Sequence, residues 1–161
     1  MHCILKNDKL QLLGQERGRI KMISKIAVLV SMILLLSTVS AIGDSPEKEA
    51  AAAIAAEKWL GIMDGEKYAE SWKEASDLFR NLIKQEQWEQ SARAARKTLG
   101  RVLSRQIATK TYATSLPGAP DEEYVIIQFE SSFENKKLAV ETVTPMLEKD
   151  GKWRVSGYYI E

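Results

Sequence analysis

Cysteine and histidine are almost missing from this chain. Its 161 residues include one of each, Cys3 and His2, both at the very front. Once that front is set aside, a Cys or His nucleophile, a Ser-His-Asp triad, a zinc site of the usual ligands and a structural disulfide are all excluded. An excess of charge is missing too, with Lys+Arg 23 against Asp+Glu 22. That balance hides a division. Lys6, Lys9, Arg17, Arg19, Lys21 and Lys25 precede position 42, opposed only by Asp8 and Glu16. Residues 42–161 carry 17 basic and 20 acidic residues, a net charge of −3. A domain of that sign does not suit nucleic acid, so none is expected as a partner.

Long apolar runs are confined to one place. Lys21 and Lys25 lead into Ile26–Val30 and Met32–Leu36, and small residues follow, ending Val39-Ser40-Ala41. A basic start, a short apolar stretch and small residues at −3 and −1 predict a secretory signal peptide over residues 22–41, cleaved after Ala41. The competing reading is an uncleaved membrane anchor, since about 20 residues just span a bilayer. The short apolar run favours the signal peptide, so membrane contact is expected only before cleavage. No cysteine stands at the cleavage point to carry a lipid. Residues 1–21 fit no targeting role and are expected to be leader sequence ahead of a true start at Met22. The working chain is then a single domain, 42–161, periplasmic or secreted. Without cysteines it must be held by packing alone, for which 120 residues suffice.

The domain reads as helices followed by strands. Ser45-Pro46-Glu47 predicts a helix start, and the helix runs to about Met63 with Ala52, Ala55, Trp59 and Ile62 in register. Asp64-Gly65 stops it. A short helix over about 66–75 places Tyr68, Trp72 and Ala75 together. Ser76 caps a segment holding Leu78, Phe79, Leu82 and Ile83. A further helix spans about Gln85–Leu99 with Trp88, Ala92, Ala95 and Leu99 in register, closed by Gly100. Residues 101–115 turn β-branched, and Leu116–Asp121 is a rigid loop of two prolines and a glycine. Tyr124–Phe133 alternates, with Val125, Ile127, Phe129 and Phe133 on one face. Leu138–Leu147 is a strand in which Pro145 marks an edge or a bulge. Asp150-Gly151 predicts a two-residue hairpin turn into Trp153–Ile160. The fold class is therefore α+β: three to four N-terminal helices on a four-stranded antiparallel, curved, cone-like sheet.

Several runs are specific enough to carry a family resemblance. They are Thr114–Asp121, Glu123–Phe129, Phe133–Lys137, Glu141–Val143 and Asp150–Tyr159, with Ser71-Trp72, Glu74–Ser76 and Glu86–Trp88 upstream. Over about residues 50–160 the chain resembles the bacterial "domain of unknown function 4019" family. The resemblance implies a small exported bacterial protein and brings no catalytic residues with it. The order of elements also resembles the cone-shaped nuclear transport factor 2-like and cystatin-like folds.

The candidate residues follow from what the composition leaves. Carboxylate and tyrosine acid–base chemistry is the one enzymatic route still open, and Glu141, Tyr124 and Tyr158 are its candidates. Trp59, Tyr68, Trp72, Phe79 and Trp88 are core by their helical spacing, or else line a pocket between the layers. Arg93, Arg96, Lys97, Arg101 and Arg105 place five cations within 13 residues. They complement a helix dipole, or else they bind an anion such as a phosphate, a lipid head group or a cell-wall polymer. Trp72, Arg101 and Arg105 are the ligand-binding candidates. Glu66, Glu70 and Glu74 share a solvated face, no D-x-D-x-D-G loop occurs, and neither metal nor cofactor is expected. The expected function is a non-catalytic binding or accessory module of the envelope, whose partner is a small molecule or an envelope protein. The alternative is an enzyme using a buried carboxylate and tyrosine in a cone-shaped pocket. Self-association is a third reading, against which Pro145 at a strand edge would speak.

Overall fold

The structure, a computed structural model, describes residues 44–161, which form one compact unit. The leader, signal-peptide and cleavage expectations lie outside the described residues. Four helices come first: α1 (Asp44–Asp64), α2 (Tyr68–Lys73), α3 (Asp77–Leu82) and α4 (Gln85–Leu99). Four strands follow: β1 (Val102–Ala113), β2 (Tyr124–Phe133), β3 (Ala139–Leu147) and β4 (Trp153–Ile160). They form an antiparallel meander in the order β1-β2-β3-β4. The α+β expectation holds, with the helices packed on one face of an open, curved sheet.

Local chemistry explains the boundaries. Ser76 caps α3 as expected, its hydroxyl accepting from the Phe79 amide at 3.1 Å. Gly100 ends α4 with φ 75°, a left-handed turn in which any Cβ would stand 2.9 Å from a Glu134 carboxylate oxygen. The second helix is shorter than expected because Glu66 leaves α1 with φ 57°, so regular helix resumes only at Tyr68. The β3–β4 turn is wider than a two-residue hairpin. Lys149, Asp150 and a left-handed Gly151 form the loop, with Gly151 N–H donating to Glu148 C=O at 2.8 Å.

Alanine lets α1 lie close to the sheet. Ala52, Ala56, Trp59, Leu60 and Met63 are buried on its inner face, while Ala55 and Ile62 are half-buried beside that stripe. Trp59, Phe79, Trp88 and Tyr158 form an aromatic cluster with ring centroids 4.9–6.2 Å apart. Each buried indole has its donor satisfied. Trp59 donates to the Ser71 carbonyl at 2.8 Å and Trp88 to the Ser71 hydroxyl at 2.9 Å. The sheet supplies Val125, Ile127, Phe129, Phe133 and Val143 from alternate positions.

Three extra residues break that alternation. Leu103 and Ala108 are the unpaired residues on β1, and Ser156 is the one on β4. Such bulges turn the next side chains to the opposite face. Val102 and Arg105, three residues apart, thus both pair with inward-facing residues of β2, Phe133 and Ser131. Val155 and Tyr158 likewise pair with Pro145 and Val143. Pro145 sits at this irregularity on an interior strand. The edge alternative is thereby corrected, and the argument it offered against self-association goes with it.

Candidate functional site

Glu141 is fully buried, one residue along the inward face from Val143 and Ala139. An inward glutamate among valine and alanine would be costly alone, so the fold supplies partners from four other elements. Arg105 of β1 donates from Nε to Oε2 at 2.6 Å, and Ser131 of β2 donates to the same oxygen at 2.6 Å. Tyr158 of β4 donates to Oε1 at 2.7 Å, and Arg96 of α4 approaches it at 3.3 Å. Asp64, at the end of α1, closes the circuit. It accepts from Arg96 at 3.0 Å and from Arg105 at 2.7 and 3.1 Å. Two guanidinium groups and two carboxylates thus neutralise one another across the helix–sheet interface.

The electrostatics follow from this enclosure. Burial pushes the Tyr158 phenol well above its usual pKa, and the Glu141 charge beside it adds to that shift. The phenol therefore remains the donor in this contact. Burial of Arg105 works against its charge, but the hydrogen bonds and charges of Asp64 and Glu141 outweigh it and hold its pKa above the usual value. Tyr158 also packs on Trp59 at 5.4 Å, so it joins the aromatic core to the charged circuit.

The sequence candidates meet different fates. Glu141, Tyr158 and Arg105 come together in the circuit. Tyr124 does not. Its partner across β3 is Met146, whereas Glu141 pairs with Phe129, five residues along β2. That separation is about 17 Å. Its ring is buried and its hydroxyl donates to the Pro120 carbonyl at 2.8 Å, which anchors the proline loop. Trp72 is half-buried and donates to the Ile83 carbonyl at 2.8 Å, closing the helical layer. Arg101 is exposed and paired with Glu134 at 2.6 Å.

Arg96, Asp64 and Ser131 belong to the circuit, and sequence reasoning gave none of them that part. Arg96 counted as a surface cation, with Ala95 assigned to the buried stripe. In the structure Ala95 is exposed, and the buried line is Trp88, Ala92, Arg96. The available signal was the strict four-residue spacing of those three, facing an acid at the inward register of β3. Among the described residues no group of three or more acids, histidines or cysteines could hold a metal ion. No described helix is long and apolar enough to cross a membrane.

The sequence model of a family described as "Protein of unknown function (DUF4019)" matches residues 55–158. The chain belongs to this family. The matched span takes in every member of the circuit, from Asp64 to Tyr158, so the whole charged interface lies within the family's domain. No curated protein and no solved structure matches the chain.

Proposed function

We propose that this protein is exported to the periplasm or beyond and that its domain works as a non-catalytic binding or accessory module of the bacterial envelope. The observation that carries the non-catalytic part is the saturation of Glu141. A general base needs a lone pair aimed at a substrate proton. Both oxygens of Glu141 are already occupied, by two guanidinium groups and two hydroxyls. Among the described residues, four surface grooves are lined without Glu141. Export is supported by the signal-like segment ending at Ala41. The proposal includes kinship with the nuclear transport factor 2-like and cystatin-like cone folds, supported by helices that precede a curved antiparallel sheet.

One observation favours the second reading, acid–base catalysis: the Glu141–Tyr158 contact of 2.7 Å in the interior. The same measurement separates the two. The processed protein, purified from the periplasm of cells expressing the full chain, is weighed under native conditions. The module reading expects a new N-terminus at Ile42 and a bound small molecule or partner protein that is recovered unaltered after incubation. A bound molecule recovered chemically changed, or a bare protein mass, would overturn it. An unprocessed chain retained in the cytoplasm would overturn export.

A further inference from the structure

A second charged feature lies outside the circuit and touches it only through Arg96 and Asp64. Between the end of α1, the last turns of α4 and the start of β1 runs a groove of about 600 Å³. In a domain of net charge −3 its lining reverses the balance, with four cations (Arg93, Arg96, Lys97, Arg101) and three acids. Two of those acids are engaged: Asp64 by Arg96 and Arg105, and Glu134 by Arg101. Only Glu66 stands near two cations, Arg93 and Lys97, that are exposed and form no ion pair with any described residue.

Arg93 and Arg101 are held in place. Arg93 lies over the Tyr68 ring at 5.4 Å. Glu134 grips Arg101 through Nε at 2.8 Å and Nη2 at 2.6 Å, and accepts the Arg101 backbone N–H at 2.9 Å. Arg93 and Lys97 sit four residues apart, so one helix face presents both. At the back stands Arg96, 8% exposed, whose Nε is the one buried side-chain polar atom without a partner among the described residues. Elsewhere this interior pairs its donors. The Arg96 guanidinium lies over the Phe133 ring at 5.3 Å, which offers no lone pair to that donor, and three further cations stand around the same groove. Complementing the dipole of α4 would explain the placement of Arg93 and Lys97, but not that orphan donor.

We propose that this groove binds a phosphate-bearing anion, either a free phosphate compound or a phospholipid head group. Cations converging from a helix and from the turn that follows it suit the several oxygens of a phosphate better than a carboxylate, which one guanidinium fork satisfies. The proposal rests on the binding-module reading and names its ligand class.

Two arms separate the sources. Calorimetric titration with inorganic phosphate at low salt tests the free anion. Co-sedimentation with phosphatidylcholine vesicles, with and without phosphatidylglycerol, tests the head group. Binding is expected in at least one arm, and the Arg93→Gln/Lys97→Gln double variant should weaken it by about tenfold or more with an unchanged thermal midpoint. Failure of both arms, or undiminished binding by the double variant, overturns the proposal. If the double variant does not fold, the Arg96 Nε–H resonance of the parent protein decides. A shift at saturating phosphate upholds the site and an unmoved signal overturns it. A ligand retained from the periplasm but bound elsewhere would overturn the groove and leave the module reading standing. Chemical turnover of that ligand would overturn the module reading itself.

Discussion

Arg105 and Arg154 are each held between two carboxylates, and their surroundings differ. Arg105 lies between Asp64 and Glu141 at the helix–sheet interface, where Glu141 is wholly buried. Arg154 lies between Glu148 and Asp150 at the β3–β4 hairpin, where Asp150 is 47% exposed. The chemistry is the same and the solvent is not. Where Arg154 meets Asp150, water would take over a bond that broke, so that pairing is worth little. Around Glu141 no water replaces a lost partner, and removing that carboxylate leaves Arg96 charged and buried. The comparison teaches that the buried circuit fixes how α1, α4 and the sheet are set against one another. The hairpin pair, by contrast, trims a turn whose backbone already closes, with Glu148 N–H donating to Lys152 C=O at 3.0 Å.

The largest effect should come from removing the charge of Glu141 while keeping its shape. Glu141→Gln leaves two guanidinium groups facing Asp64 alone and is expected to lower the unfolding free energy by about 3–5 kcal/mol. Chemical denaturation at neutral pH measures it. A loss below about 1 kcal/mol would place the buried circuit beside the surface pair and erase the contrast. Next in size is Arg105→Lys, which keeps the charge and loses the fork that reaches both Asp64 oxygens and Glu141 together. About 2 kcal/mol is expected from the same measurement.

These positions also mark how far the sequence could be read. The bounds of α4 and β4, the cap at Ser76 and the inward face of β2 were all legible, because each follows from local spacing and capping chemistry. The circuit was only half legible. Glu141 and Tyr158 were picked from composition, but their meeting depends on the extra residue Ser156, and the inward turn of Arg105 depends on Leu103. A bulge leaves no mark in a two-residue pattern beyond a local slip in it. Arg96 was hidden for another reason. Residue type argues for the surface, and only a buried acid on a distant strand overrides it. Tyr124 shows the reverse error, since a tyrosine among apolar neighbours anchored a loop.

A smaller effect belongs to Tyr158 and depends on pH. Loss of its hydrogen bond in Tyr158→Phe should cost about 1.5 kcal/mol at neutral pH. The sign at high pH follows from its raised pKa, which burial causes and the Glu141 charge reinforces. In the unfolded chain the phenol ionises near its ordinary value of 10.0, while in the folded chain it stays protonated above that. Its contribution is therefore complete below that pH and falls as pH rises through the window above it, by up to about 1.4 kcal/mol per pH unit. Tyr158→Phe should flatten the alkaline limb of the stability curve. An unchanged limb would show that the phenol is not sheltered by the circuit.

The smallest effect is expected at the hairpin, and it sharpens the contrast from the acid side. The hydrogen bonds of Arg154 hold the Asp150 carboxyl below its usual value of 3.8, at about 2, helped by the Lys152 backbone N–H. A depressed pKa stabilises the fold above the unfolded value and loses that contribution as pH falls from about 3.8 towards 2. Asp150→Asn should therefore remove a shallow, salt-sensitive slope confined to that window and leave stability at neutral pH nearly unchanged. Thermal midpoints of parent and variant, taken across the acid range at low and high salt, would show it. If Asp150→Asn at neutral pH costs as much as Glu141→Gln, burial is not what separates the two arginines. The strength of the buried circuit would then have to come from its bidentate geometry, which Arg154 shares through its two contacts with Asp150 at 2.8 and 3.0 Å.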